Sequence, residues 1–496
     1  MFMTKENNMK NILFFIFIVL AVAMGVLNKS YIVTSMYVVT LFAIYLLFKN
    51  DSLYDLFYGV LMVSVVYDYV LYVPGIKNIY IFHIALALFT LGTLIKLIKD
   101  PQIFLSVNKF AALILFIWFI YICASFFWAL NKSLAMKYIM IYVLMFCFIA
   151  NLAIYNITKE RFSKTVKLII GLTSLIIIIG FVEALIGYQL PVEHHYDGLT
   201  VTYDVLKLMA RPLAFSFNIN NFAATLAIMI PILMFTINKT RYISLKIFLL
   251  IICSLSFLIV SLTTSRTGIV AIGASLGIYV LYSLITIKKD GLMNIAYSII
   301  LIVAFAVAVT NGYRMLNVHG EDKIEQQSND LLSKMDKLVD DQVIIGGDGS
   351  INERITIIHD VVDDAIENKK LLGNGAGNVF QLLYNKGNTY GVYNPHCYPI
   401  EILGDFGVIG IIIYAIYYLY LLISNIILGI KKDNIYCLAA ATGLIAFAPA
   451  SFGPSSITYV FSYWILMAFA ISTIQVAKKD NNNLLYSRVK EFSFYK

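Results

Sequence analysis

One histidine and three arginines carry most of the chemistry this sequence can offer. His396 ends a polar run (391–396, GVYNPH) just before an apolar stretch, so it sits where an aqueous loop meets a membrane surface. An unperturbed imidazole titrates near ~6.5 and can therefore exchange a proton close to neutrality. Glu401, Asp405, Gly407 and Gly410 follow on the first turns of the next predicted helix. Arg211 opens the run RPLAFSFNINNFAATLAIMIP, Arg266 lies in TTSRTG, and Arg354 falls on the first turn of a predicted loop helix. A planar, permanently charged guanidinium suits diphosphate oxygens, and partial desolvation strengthens each contact. A lone histidine at a membrane-proximal turn is commonly incidental, and any one arginine serves equally well as a helix-end charge at the headgroups. Three arginines and a histidine on one side of the membrane form a more specific set.

The elements that must position them are membrane helices. Of 496 residues, 60% are hydrophobic and 13% charged, where a soluble globular chain would show roughly 45–50% and about 25%. A spanning helix takes about 20 mostly apolar residues, because the bilayer core offers the backbone no hydrogen-bond partner. Such runs occur near 11–27, 30–48, 53–73, 80–98, 110–130, 134–155, 166–190, 213–237, 243–262, 267–287, 293–311, 399–429, 435–450 and 457–476. The expected fold is an all-α polytopic membrane helix bundle of about 12–14 spans with one large, partly helical extracytoplasmic loop. The domains are then N-terminal spans over 1–311, the loop domain over 312–398, C-terminal spans over 399–477, and a cytoplasmic tail over 478–496. The first run follows Lys5 and Lys10 as in a signal peptide, but a second span begins at once, which predicts a retained helix.

Loop charge orients the chain, since Lys and Arg stay cytoplasmic in short loops. With the N-terminus inside, the inside segments gather about nineteen basic residues, among them Lys159, Arg161, Lys164, Lys431 and Lys432, against about seven in the short outside loops. Both termini are then cytoplasmic, and Arg211, Arg266, Arg354 and His396 all face outward. The net charge of +8 is spread over these loops and forms no nucleic-acid patch. Cys123, Cys147, Cys253, Cys397 and Cys437 lack paired spacing, so neither a disulfide framework nor a zinc site is indicated. Cys397 reads as a small neighbour of His396 and not as a nucleophile.

Within the loop domain, 321–341 reads as a polar amphipathic helix. Ser350, with Glu353 three residues on, reads as a capping box opening a second helix. Ile351, Ile355, Ile358, Val362 and Ala365 would form its inward face, and Gly373 would stop it. The stretch LLGNGAGN (371–378) has no following Lys-Ser/Thr and no preceding strand, so it is a tight turn and not a nucleotide loop; a backbone contact to a lipid-linked phosphate is its minority reading. Glu193, His194, His195, Asp197 and Asp204 crowd a shorter outside loop, a composition that a solvated loop gives as readily as a metal site. Asp68, His83 and Glu183 lie in or near spans, where a charge is costly unless paired.

These motifs resemble those of the O-antigen ligase and Wzy-type polysaccharide polymerase superfamily of bacterial membrane glycosyltransferases. The resemblance runs from about Arg211 to Gly410. Arg211-Pro212 with Asn218, Asn220 and Asn221 is similar to the family's RPxG-like element, with Ala214 where a glycine is usual. Ser265-Arg266-Thr267-Gly268 is similar to its SRxG element, and Asn352-Glu353-Arg354 to its arginine-bearing outside helix. Leu372 to Gly377, with Gly375 and Gly377, matches its glycine turn. His396, Gly407 and Gly410 match its histidine with spaced glycines, with Cys397 where a polar residue is usual.

The resemblance implies transfer of a glycan from undecaprenyl diphosphate to a hydroxyl, on the outer face of the cytoplasmic membrane. His396 would take the acceptor's proton, and Arg211, Arg266 and Arg354 would hold the leaving diphosphate. Asn218, Asn221, Gly375, Gly377, Glu401 and Asp405 would support the site. Direct displacement inverts the anomeric carbon, and a diphosphate leaves well without a metal or other cofactor. The acceptor of a polymerase is another lipid-linked repeat unit, and that of a ligase is a lipid, wall or protein carrier. Abundant Ile, Lys, Asn and Tyr suggest an AT-rich, Gram-positive source and favour the polymerase. Partners of an assembly line, such as a flippase and a chain-length regulator, are expected. A flippase for lipid-linked oligosaccharide is the alternative of another class; it would want basic residues through the membrane depth instead of on one side.

Overall fold

A computed structural model describes residues 2–197, 208–287, 292–312 and 344–479. The predicted helix over 321–341, Asp204, and the tail beyond 479 lie outside the described residues. Elsewhere the chain is helical: α1 Phe2–Leu27, α2 Tyr31–Leu47, α3 Leu53–Val66, α4 Ile81–Lys99, α5 Lys109–Ala124, α6 Lys132–Tyr155, α7 Lys159–Ile186 and α8 Ile219–Lys239. There follow α9 Ile243–Leu262, α10 Arg266–Ile285, α11 Leu292–Asn311, α12 Ser350–Ile366, α13 Val379–Lys386, α14 Tyr398–Lys432, α15 Ile435–Ala450 and α16 Phe461–Lys479. Among the described residues, eleven helices are long and apolar enough to cross a membrane, and α2, α3 and α15 are shorter apolar helices. Together they fill the fourteen stretches read from hydropathy. Large apolar side chains such as Ile98, Phe116 and Ile120 are exposed on the outer helices, the surface that lipid requires.

Short polar side chains start the helices where apolar runs resume. Asn108 accepts from Ala111 N, Asn131 from Leu134 N, Thr158 from Arg161 N and Asn434 from Tyr436 N, each satisfying one of the first-turn amides. The span expected over 53–73 stops at Val66, because Pro74-Gly75 turns the chain and pairs Tyr72–Val73 with Ile76–Tyr80 as a small hairpin.

The centre of the bundle is α8, apolar on every face and buried almost throughout. It packs against α15, whose small residues Ala439, Ala440 and Gly443 permit close approach. A Cβ on Gly443 would stand 3.1 Å from Ile228 O and 2.8 Å from Leu466 Cδ1. Ion pairs knit one end of the bundle: Arg161 to Asp55 at 3.2 Å and Lys164 to Asp51 at 2.8 Å. The loops bearing Arg211, Arg266, Arg354 and His396 gather at the opposite end.

Three expectations for α12 are corrected. Ser350 is the first helical residue and Gly349 the N-cap, with no side-chain cap bond, so the capping box does not form. Asn352 instead ties the preceding turn, accepting from Ile344 N at 3.1 Å and donating to Asp348 O at 3.0 Å. The buried stripe is Ile357, Val361 and Ala365 with Thr356, Asp360 and Asp364. Ile351, Ile355, Ile358 and Val362 are only half-buried. The helix is turned this way because its acids have partners on the inner side: Asp360 meets Lys386 at 2.9 Å and Asp364 meets Lys370 at 3.1 Å. The helix also ends earlier than expected, with Lys369 in the left-handed region (φ 54) ahead of Gly373.

Candidate functional site

His396 immediately precedes the Cys397 N-cap of α14, with its own backbone left-handed at φ 48. Such a conformation is unfavourable for a residue with a Cβ and holds only where the surroundings fix it. Its Nδ1 lies 3.4 Å from Gly453 O, in the 451–456 turn (SFGPSS) between α15 and α16. Next to that contact, Arg354 Nη1 donates to Phe452 O at 3.1 Å. Burial, then the positive charge of Arg354, push the His396 imidazole down to about 4. Burial, then Arg266, hold Arg354 below the usual guanidinium range. Arg354 thus couples electrostatically to His396 on one side and to Arg266 on the other.

The same turn reaches the other motifs. A Cβ on Gly453 would stand 2.8 Å from Thr267 Oγ1, beside Arg266, and 3.5 Å from Asn220 Cβ at the start of α8. Arg211 enters through the loop before α8. Glu183, at the end of α7, accepts from the amides of Leu190, Leu213 and Ala214 at 2.7–2.8 Å, and Gln189 donates to Arg211 O at 2.6 Å. Ala214 is left-handed at φ 50, which explains why a glycine suits this position; the conformation costs about 1–2 kcal/mol with a side chain, and the Glu183 bonds oppose that cost. Asn218 caps α8 by accepting from Asn220 N at 2.8 Å. Asn221 lines an apolar cavity with Ser216, Phe217, Thr225, Tyr459 and Phe461.

The glycine turn is structural. Every backbone N–H from Gly373 to Val379 donates to a protein acceptor: Lys370 O, Gly404 O, Asp405 O, Ser125 Oγ, Asp405 Oδ2, Gly375 O and Asp405 Oδ1 in order. Those amides leave nothing for a phosphate. Gly375 (φ 94) lies against Ala129, where a Cβ would come within 2.5 Å, and Gly377 (φ 69) lies against the Tyr138 ring, where it would come within 2.2 Å. Gly407 breaks α14 at φ 66 so that Leu371 O can approach, and a Cβ there would clash at 2.2 Å. Asp405 therefore serves the turn through its two amide bonds. Glu401 accepts from Ser456 Oγ and from Ile457 N, at the far end of the 451–456 turn.

Other candidates found different surroundings. Cys397 is buried, and its thiol is pushed up to about 11, so it stays neutral beside His396. His194 pairs with Asp197 (3.5 Å), and His195 N donates to Phe217 O at 3.2 Å, docking the 193–197 loop onto the start of α8. His83 Nδ1 accepts from Tyr80 N at 3.1 Å and fastens the first turn of α4. The 451–456 turn is the feature that sequence reasoning missed. Its serines and Gly-Pro between two apolar runs, on the same side as His396, were the available signal.

Residues 251–415 match the family described as O-antigen ligase, a stretch that includes Arg266, Arg354 and His396 and leaves out Arg211 and the 451–456 turn. The chain is also 26% identical over 371 residues to the teichuronic acid biosynthesis protein TuaE of Bacillus subtilis (strain 168), covering 73% of this chain and 71% of that protein.

Proposed function

We propose that this multi-pass membrane protein is a polysaccharide polymerase of the superfamily of O-antigen ligases and Wzy-type polymerases, a reading supported by the family match over 251–415 and by the B. subtilis relative. It moves a growing glycan from undecaprenyl diphosphate to a hydroxyl of another lipid-linked repeat unit, on the outer face of the bacterial cytoplasmic membrane. The observation that carries this reading is the shared turn: an imidazole and a guanidinium on adjacent carbonyls, with a second guanidinium close behind.

The acceptor O–H attacks the anomeric carbon while its proton passes to His396. The bond from that carbon to phosphate oxygen breaks, and its electron pair leaves on the diphosphate. Arg211, Arg266 and Arg354 offset the charge that builds there. One displacement gives inversion, and the diphosphate leaves without a metal. Burial, and after it the charge of Arg354, make the resting imidazole a weak base. Once the donor's negative charge offsets that of Arg354, the imidazole rises part of the way toward its ordinary range and becomes a better proton acceptor. The apolar cavity beside Asn221 is adjacent space for prenyl carbons.

The name of the B. subtilis relative, a teichuronic acid biosynthesis protein, supports a role in making a polymer, which a polymerase or a ligase can fill. The description of the matched family supports ligation as the second reading. Deleting the gene and sizing the lipid-linked glycan separates them. Accumulated single repeat units support the polymerase, and unattached long chains would replace it with the ligase.

A further inference from the structure

We propose that the 451–456 turn, latched by Glu401, is the positioning element of this site, fixing which nitrogen of His396 is free to take a proton. The inference rests on the reading of His396 as the base and adds how that base is held.

A carbonyl oxygen only accepts, so the contact from Gly453 O to His396 Nδ1 requires the proton on Nδ1 and leaves the lone pair on Nε2. The carbonyl in turn must be held in place, and the structure holds it from both ends. Residues 396–401 grip the turn twice, through His396 at Gly453 and through Glu401 at Ser456 and Ile457. The two grips are five positions apart in sequence, so the imidazole and the Glu401 carboxyl keep a fixed spacing along the start of α14. Beyond the latch, Ser456 Oγ lies 2.6 Å from Thr458 Oγ1, and Trp464 Nε1 donates to Thr458 O at 3.2 Å, which anchors the turn in α16.

The near end carries a second load. Phe452 O receives Arg354, so displacing this carbonyl pair disturbs base and guanidinium together. Gly453 is not left-handed. Its lack of a side chain is therefore required by space: Thr267 Oγ1 would be 2.8 Å from an added Cβ, and the next atoms, Ala450 O and Asn220 Cβ, 3.4 and 3.5 Å away. One neighbour accounts for the crowding, and that makes the crowding reversible.

The test uses full-length protein in lipid nanodiscs, with lipid-linked repeat unit purified from a deletion strain as donor and acceptor. Glu401→Gln and Gly453→Ala should each lower kcat about tenfold or more, with a smaller rise in donor KM as Arg354 moves with the turn. Gly453→Ala combined with Thr267→Ala should recover to within about threefold of Thr267→Ala alone, because the obstructing hydroxyl is gone. In protein labelled with 15N-histidine, the His396 resonances, assigned by their loss in His396→Asn, should show the Nδ1–H tautomer in the native chain and the Nε2–H form in Gly453→Ala. Native kcat in both single variants, a loss confined to KM, or an unchanged tautomer signature overturns the proposal. Transfer surviving in His396→Ala would overturn the base reading instead, so the two failures are distinct.

Discussion

Replacing Arg354 by glutamine should move the acid limb of the reaction to higher pH. The His396 imidazole stands at about 4, with burial as the larger cause and the Arg354 charge as the second. A base works only when neutral, and at pH 5 a group titrating at 4 is ~90% neutral, whereas one at the ordinary 6.5 is ~3% neutral. Removing the positive neighbour favours protonation, so the imidazole rises part of the way back while burial still holds it down. A rise of about one pH unit would already leave half the imidazole protonated at pH 5. The ratio of initial rates at pH 5 and pH 7, under kcat/KM conditions, should therefore fall from ~0.9 to about 0.5 or lower in Arg354→Gln. The ratio is internal, so weaker donor binding cancels from it. Arg354→Lys keeps the charge and should keep the ratio near that of the native chain. In the native chain, the acid limb of kcat should lie above that of kcat/KM, because the bound diphosphate opposes the arginine charge. A ratio near 0.9 in Arg354→Gln, or an equal drop in Arg354→Lys, would refute the electrostatic coupling.

Two further outcomes follow from the supporting residues. Gly377→Ala combines a left-handed backbone with a Cβ 2.2 Å from the Tyr138 ring, and should destabilise the fold by about 2–5 kcal/mol, read as a lower midpoint of thermal unfolding in detergent. A native midpoint would show that the glycine turn is not pinned against α6. Glu183→Gln weakens the bonds to Leu190, Leu213 and Ala214 that shape the Arg211 loop, and should weaken donor binding about tenfold, or ~1.4 kcal/mol, in nanodisc binding assays. Unchanged affinity would separate Glu183 from the Arg211 loop's function.

The spans were legible because the bilayer demands long apolar runs, and these runs fixed most helix positions to within a few residues. His396, Arg266 and Arg354 were legible as residue types, and the geometry adds the carbonyl turn that joins His396 to Arg354. The face of α12 was not legible. An apolar count favoured Ile351, Ile355 and Ile358, while the inner face also carries Asp360 and Asp364, whose lysine partners lie at Lys386 and Lys370. Charges satisfied by residues that near-neighbour patterns do not pair look like a solvent face in sequence. What satisfies the amides of the glycine turn was not legible, because their acceptor, Asp405, is 28 residues from Gly377. The 451–456 turn was overlooked for the same reason: it acts through backbone carbonyls, which every residue has.

The central claim is that His396 takes the acceptor's proton while arginines hold a prenyl-linked diphosphate. It is tested most directly with purified His396→Ala in nanodiscs, measuring donor binding and glycan transfer on the same sample. The expected result is donor affinity within about threefold of the native chain and transfer reduced by at least about a hundredfold. Transfer at the native rate with donor bound would contradict it.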